Sequence, residues 1–410
     1  MTPATAGDGS QGFGRRPLDG LKVLALGQLM AGPFAGTLLA YYGAEVIKVE
    51  PPGKGDAVRL WRTMDEGTSL WWRTLARNKK CISLDLRQER GRELARRLAE
   101  RSDVLIENFR PGTLERWGLA PDDLHETNPG LIYARVSGYG QSGPYASRPG
   151  YASVCEGVGG FRYVTGVPGE RPVRPNLSLG DSLTGMHAAF GVLLALLERR
   201  QTTAGRGQVV DIGIFEAVYN MMEAVVPEYD RCGEIRQPSG STITGVVPTN
   251  TYLCKDGRYV IIGGNGDSIY RRLMEAAGRP EMATDPRLAT NDGRVRHQDE
   301  VDGALAEWTA GLTADEVLER LEQAAVPAGP IYSVAEMVAD PHFAARGLFE
   351  EVEVGGRALK LPAIVPRLSR TPGRTDWAGP ELGAHNRDVY EGLLGLSREE
   401  LDGLRRQGVI

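Results

Sequence analysis

The chain has 410 residues, 41% hydrophobic and 25% charged, which suits a folded protein with a sizeable core in two or three domains, or one large α/β domain with an insertion. Acids outnumber bases 53 to 48, giving a formal net charge of −5. That balance excludes broad nucleic-acid binding, which needs a basic surface, but not an anionic ligand held by a few local arginines. In chain order, residues 1–16 are Gly-rich and polar with no apolar h-region, predicting a disordered tail and no signal peptide. From Leu21, "LKVLAL", "EVIKVE", "CISLDL", "DVLIEN" and "LIYARV" read as strands. "AGPFAGTLLAYYGA" and "ERGRELARRLAERS" between them have helical spacing, and "QVVDIGIFEAVYNMM" reads as a strand running into a helix. Strands separated by helices of this length indicate βαβ units and a parallel sheet. The texture changes near Pro227: "NTYLCKDGRYVIIGG" is a hairpin with an Asp256-Gly257 turn, and three helical stretches follow. "AGPIYSVAEMVAD", "RGLFEEVEV" and "ALKLPA" are expected to rejoin the first domain, followed by a Pro- and Arg-rich strap. The final helix opens on a Ser-x-x-Glu capping box at Ser397 and Glu400. The expected division is a tail 1–16, a large domain 17–227, a small α+β domain 228–330, and a return 331–410.

The usual chemistry-bearing signatures are missing. The cysteines Cys81, Cys155, Cys232 and Cys254 form no CxxC pair and read as reduced thiols. The histidines His125, His187, His297, His342 and His385 have no metal-ligand spacing, so no metal is expected. The longest apolar run, "AAFGVLLALL", is about half a membrane span, and the expectation is a soluble, cytoplasmic protein. "GYGQSG", Gly138 to Gly143, matches GxGxxG after a strand, but "PYASRPGY" follows where a dinucleotide site needs a helix N-terminus. A glycine-rich turn is the better reading.

Two features remain. "GGNG", Gly263, Gly264, Asn265 and Gly266, joins a strand to a helix. It reads equally as a plain turn or as a mobile loop presenting backbone N–H groups to an oxyanion. Asp181 precedes a stripe of Leu183, Met186, Phe190, Leu193, Leu194 and Leu197, so a helix is expected to start just after it. Asp is a good N-cap. It is equally a carboxylate ionised at neutral pH, with an ordinary pKa of about 3.9, and a helix N-terminus stabilises its charge. A carboxylate nucleophile needs no more than that.

Segments along the whole chain carry a resemblance. "LDGLKVLALGQLMAGPFAGTLLAYYGAEVIKVEPPGKGD", "NKKCISLDL", "DVLIENFRPGTLERWGL", "NLSLGDSLTGMHAA", "AGRGQVVDIGIFEA" and "AAVPAGPIYSVAEMVADPHFAARGLF" occur in order. The chain resembles the family III CoA-transferases from about Pro17 to Ile410. The resemblance implies an interlocked homodimer. Each chain would form a ring from a Rossmann-like large domain, built from both chain ends, and a smaller α+β middle domain; the partner would thread it. It implies that Asp181 carries acyl-aspartyl anhydride and aspartyl-CoA thioester intermediates, covered by the loop of Gly263, Gly264, Asn265 and Gly266. It places Leu84 and Arg87 near the CoA nucleotide, Asn108 and Phe109 along the adenine-to-pantetheine path, and Arg116 at the phosphates. No cofactor besides the CoA thioester substrate is implied, and no nucleic-acid or membrane partner. Formyl-CoA transferases carry Gln where this chain has Met30, Arg where it has Pro51, and a longer glycine loop. Those departures argue against a formate–oxalate specificity; the expectation for donor and acceptor is succinyl-CoA with a small dicarboxylate, which the motifs themselves do not name. The racemase branch has a His-Asp pair where this chain has Tyr151 and Ala152. An α-methylacyl-CoA racemase-like enzyme is the alternative, and a catalytically silent CoA-binding homologue is another.

Overall fold

The computed structural model describes residues 14–410, so the expected tail lies outside the description up to residue 13. Arg16, within the expected tail, is held: its guanidinium pairs with Asp376 at 2.7 Å. The chain divides into two compact units. The first takes in the N-terminal part to Gly160, then Pro175–Met222 and Ala344–Ile410; the second is Phe161–Arg174 with Glu223–Phe343.

The first unit is built on six parallel strands: β1 (Lys22–Ala25), β2 (Glu45–Glu50), β3 (Lys79–Ser83), β4 (Val104–Glu107), β5 (Ile132–Ser137) and β6 (Val209–Gly213). Their order is β3-β2-β1-β4-β5-β6, the doubly wound arrangement, with every pair parallel. Helices α1 (Ala31–Tyr41), α2 (Leu70–Leu75), α3 (Glu89–Ala99), α4 (Ala152–Val158), α5 (Leu179–Gln201) and α6 (Ile214–Tyr219) complete its βα rhythm. The sheet is covered on both faces. One core joins Leu24, Ile47, Ile82, Leu105 and Tyr133 to Leu94, Leu98 and the C-terminal Leu401 and Leu404. The other joins Val23, Val46, Ile106 and Val136 to α1 and α5. Covering both faces explains why the strands read as near-continuous apolar runs.

Helix α5 departs from its sequence reading. It begins at Leu179, with Ser178 at the N-cap, so Asp181 is the third helical residue and not the cap. Its buried face is the small one: Thr184, Gly185, Ala188, Ala189, Val192 and Ala195. The large stripe is exposed, with Met186 at 55% and Phe190 at 61%. The reason is close packing on α1. A Cβ at Gly185 would lie 2.8 Å from the carbonyl oxygen of Ala31 and from Phe34, so only glycine admits that approach. At 23 residues the helix is long and apolar enough to cross a membrane, which the shorter apolar run did not suggest.

The second unit has a three-stranded antiparallel sheet of β7 (Thr249–Leu253), β8 (Tyr259–Gly263) and β9 (Ala328–Pro330). Helices α7 (Asp267–Ala276), α8 (Gln298–Ala310) and α9 (Ala314–Gln323) pack on it around Tyr252, Leu273, Leu305 and Leu321. "AGPIYSVAEMVAD" stays in this unit and does not return to the first, because Gly329 pairs with Ile261 as the third strand. Residues 161–174 also belong here, tied by the Gly240 N–H to Gly166 O bond of 2.8 Å. Back in the first unit, β10 (Phe349–Val354) and β11 (Arg357–Pro362) form a hairpin, and α10 (Arg398–Arg406) starts on the reciprocal Ser397–Glu400 capping box.

Candidate active site

In a doubly wound sheet, ligands bind beyond the carboxyl ends of the strands, where the strand order reverses. Here that point lies between β1 and β4. Asn108, the residue after β4, joins the two loops that leave it. Its Oδ1 accepts the Gln28 N–H at 2.8 Å and its Nδ2 donates to the Gln28 carbonyl at 2.7 Å. The next turn is fixed from below. The Phe109 N–H donates to Glu107 Oε2 at 2.7 Å, and Arg135 holds the other carboxylate oxygen at 2.9 Å. Burial pushes the Glu107 carboxyl up to about 7 against the pull of Arg135 and the Phe109 N–H. The Phe109 ring meets Trp117 edge-on, centroids 5.4 Å apart.

The loops after β1 and β2 rest on a buried ionic cluster. Lys48 pairs with Asp56 at 3.1 Å with both side chains buried, and donates to the Gly27 carbonyl at 2.6 Å. The Asp56 carboxylate accepts the Leu29 N–H, at 3.0 Å to Oδ2. Leu29 has φ of +66°, a left-handed conformation that a non-glycine residue keeps only when its surroundings impose it. Glu50, also buried, takes Arg59 in two bonds of 2.7 and 2.8 Å. Breaking a buried pair of this kind costs about 3–5 kcal/mol, because the remaining charge has no water. The cluster therefore fixes the approach to Met30 at the N-terminus of α1. Nothing in "EVIKVE" announced it beyond charged residues within an apolar strand.

Asp181 reaches this region through helix packing. Residues four apart share a helix face, so Asp181 lies one turn before the Gly185 contact with the start of α1. Its helix is also fixed to α4: the Gly180 N–H donates to Glu156 Oε1 at 3.2 Å. The Cys155 thiol, in the same helix as Glu156, is pushed up to about 11, first by burial and then by the negative charge of Asp181. It stays protonated at neutral pH, and donates to the Gly138 carbonyl at 3.3 Å. No helix begins within Gly138–Gly143; the segment is turns and bends until Ala152.

The other sequence-nominated residues divide. Leu84 and Arg87 follow β3 at the same end of the sheet, but the Leu84 side chain is in the core at 2% exposure. Arg87 is exposed and grips Asp85 at 2.8 and 3.0 Å, so its charge is already shared. Arg116, on a single helical turn, is exposed and donates to Thr113 Oγ1 at 3.2 Å. Gly263, Gly264, Asn265 and Gly266 lie in the second unit. Arg294, fully buried, holds the Asn265 carbonyl at 2.6 Å and Asp267 at 2.8 Å. Gly264 is buried where a Cβ would collide with Leu273 and meet Pro248 at 3.2 Å. The loop joins β8 to α7, and packing within its own unit requires glycine at Gly264.

Comparison with known proteins bears on the family and the fold. The CoA-transferase family III model matches residues 18–386. A succinyl-CoA–D-citramalate CoA-transferase of Chloroflexus aurantiacus is 50% identical over 96% of this chain and 98% of its own length. The alpha subunit of a succinyl-CoA–L-malate CoA-transferase of Chloroflexus aurantiacus is 42% identical over 99% and 95%. The crystal structure of a CAIB/BAIF family protein from Brucella suis superposes with a TM-score of 0.82 at 35% identity, covering 93% of this chain and all of that one. The chain belongs to CoA-transferase family III.

Proposed function

We propose that this CoA-transferase moves CoA from succinyl-CoA to a small dicarboxylate, with Asp181 as the carboxylate that carries the group. The observation behind this reading is the position of Asp181. It lies in the first turn of a 23-residue helix, one turn from that helix's contact with α1, at the carboxyl end of the sheet. A helix N-terminus carries a partial positive charge that stabilises a carboxylate, the oxyanion of a tetrahedral intermediate and a departing thiolate alike.

An Asp181 oxygen attacks the thioester carbonyl carbon, the C–S bond breaks, and CoA leaves as thiolate. The thiolate attacks the Asp181 carbonyl of the resulting anhydride, releases succinate and forms the aspartyl-CoA thioester. The acceptor carboxylate attacks that thioester and frees the thiolate again. The thiolate then takes the acceptor acyl group and restores Asp181. Each step exchanges one anion for another, so no proton or electron is transferred and no basic histidine is required. Arg116 is the freer of the two arginines to meet a CoA phosphate, since Arg87 is engaged by Asp85. The relatives named for succinyl-CoA with D-citramalate and L-malate support the choice of donor and acceptor.

The working form in this reading is a homodimer of the interlocked kind. Of the exposed stripe of Met186, Phe190, Leu193, Leu194 and Leu197, the first three line an apolar groove of 680 Å³ that also takes in Leu38 and Trp71. A stripe of that size on a folded surface calls for a covering partner.

The test is to incubate the protein with succinyl-CoA alone and digest it. A hydroxylamine-sensitive CoA adduct on the peptide containing Asp181 is expected. An adduct on another residue, or none under conditions of active transfer, removes Asp181 from this role.

A further inference from the structure

Between β2 and β3 lies a cation that the mechanism above does not use. Arg62 has φ of +64°, a second left-handed residue without glycine's freedom. Its guanidinium carbon stands 3.8 Å from the centroid of the Trp71 ring, and Trp61 packs beside Trp71 with centroids 6.1 Å apart. The Nη2 of Arg62 reaches Ser178 Oγ at 3.5 Å. Ser178 is the N-cap of α5, three residues before Asp181.

The contrast with Arg59 is informative. Arg59 is buried and takes both oxygens of Glu50. Arg62, three residues on, has no ion-pair partner among the described residues. Trp71 covers one face of its guanidinium, and stacking leaves the N–H donors at the edge open. One long hydroxyl contact uses little of that capacity. A fork of donors on an aromatic support, without a counter-ion, fits a planar carboxylate held in two hydrogen bonds.

We infer that Arg62 binds the distal carboxylate of the acyl group being transferred, and so selects dicarboxylates; this rests on the reading that Asp181 receives the acyl group. The spacing is suitable. Three residues of helix separate Ser178 from Asp181, a rise of about 4.5 Å. The two carboxyl carbons of a four-carbon diacid are three C–C bonds apart, about 4 Å when extended. With its thioester carbon at Asp181, such a group reaches back along the turn towards Ser178 and Arg62. A monocarboxylic acyl group of the same length would bring a methyl group to the guanidinium and leave its donors without a partner, the situation in which a polar site rejects an analogue most strongly.

The test compares succinyl-CoA with butyryl-CoA as donors to one acceptor, in the parent protein and in Arg62→Met and Arg62→Lys. The ratio of kcat/KM for succinyl over butyryl transfer should fall on the order of 10- to 100-fold in Arg62→Met, the range of one charge-assisted interaction. Arg62→Lys should restore part of it, since Lys keeps the charge and loses the fork. A ratio unchanged in Arg62→Met overturns the assignment, including the case where both rates fall together, because that is the signature of a structural role. The adduct on Asp181 reports separately. An unchanged ratio with the adduct formed rejects Arg62 alone, whereas a parent protein that forms no adduct on Asp181 rejects the nucleophile reading itself.

Discussion

Replacing Asp181 by Asn separates what the residue does for the helix from what it does for the reaction. Ser178 occupies the N-cap and Asp181 is the third helical residue, so the substitution removes no cap. It removes one negative charge from the first turn, worth about 0.3–1 kcal/mol. That charge by itself lowers Tm by about 2–4 °C at most. Transfer should behave differently, because a neutral amide cannot form the anhydride. Loss of a covalent nucleophile lowers kcat on the order of 10⁴-fold or more. The assay is conversion of succinyl-CoA and a dicarboxylate to the new acyl-CoA, followed by chromatography, with calorimetry on the same preparation. An Asn variant as active as the parent refutes the reasoning. So does a Tm loss far beyond a first-turn charge with activity tracking the folded fraction, since Asp181 would then be a structural residue.

Other expectations follow from particular contacts. Lys79 is buried, donates to the Pro33 carbonyl at 2.6 Å, and is lowered to about 7 by burial and then by Lys48. Its unfolded value is near the ordinary 10.4, so between about pH 7 and 10 the unfolded chain holds a proton that the folded chain has released. Stability should rise with pH across that window by up to about 1.4 kcal/mol per unit from this group; denaturant titrations of Lys79→Met should show that slope removed, and an identical slope would refute it. Gly264→Ala should destabilise the protein by about 1–3 kcal/mol through overpacking against Leu273 and Pro248; unchanged denaturation with lost turnover would point instead to a role in the reaction. Arg116→Ala should leave stability within about 0.5 kcal/mol, because the side chain is exposed, and weaken CoA binding on the order of 10- to 100-fold. Equal CoA affinity measured by calorimetry would take Arg116 out of the site.

The alternation of strand and helix, the parallel sheet and the Asp256-Gly257 hairpin were legible in the sequence. So was the Ser397–Glu400 cap, whose two bonds of 2.8 and 3.2 Å join residues three apart. These are local matters: apolar period, turn residues and caps act within a few residues of chain. The order of motifs likewise gave the family. Which face of α5 is buried was decided by tertiary structure. Its leucines outweigh its glycines and alanines in hydrophobicity, yet the small residues face α1, because close approach of two backbones depends on the absence of side-chain bulk. The same packing carries Asp181 from a presumed cap position into the first turn, near loops that end strands more than 70 residues earlier in the chain. The cluster of Lys48, Glu50, Asp56 and Arg59 was also beyond sequence reading. Two charges alternating with valine and isoleucine suggest one wet face of a sheet. Only helices covering both faces turn them into buried groups, and only the folded course of residues 51–61 brings their counter-ions within 3.1 Å.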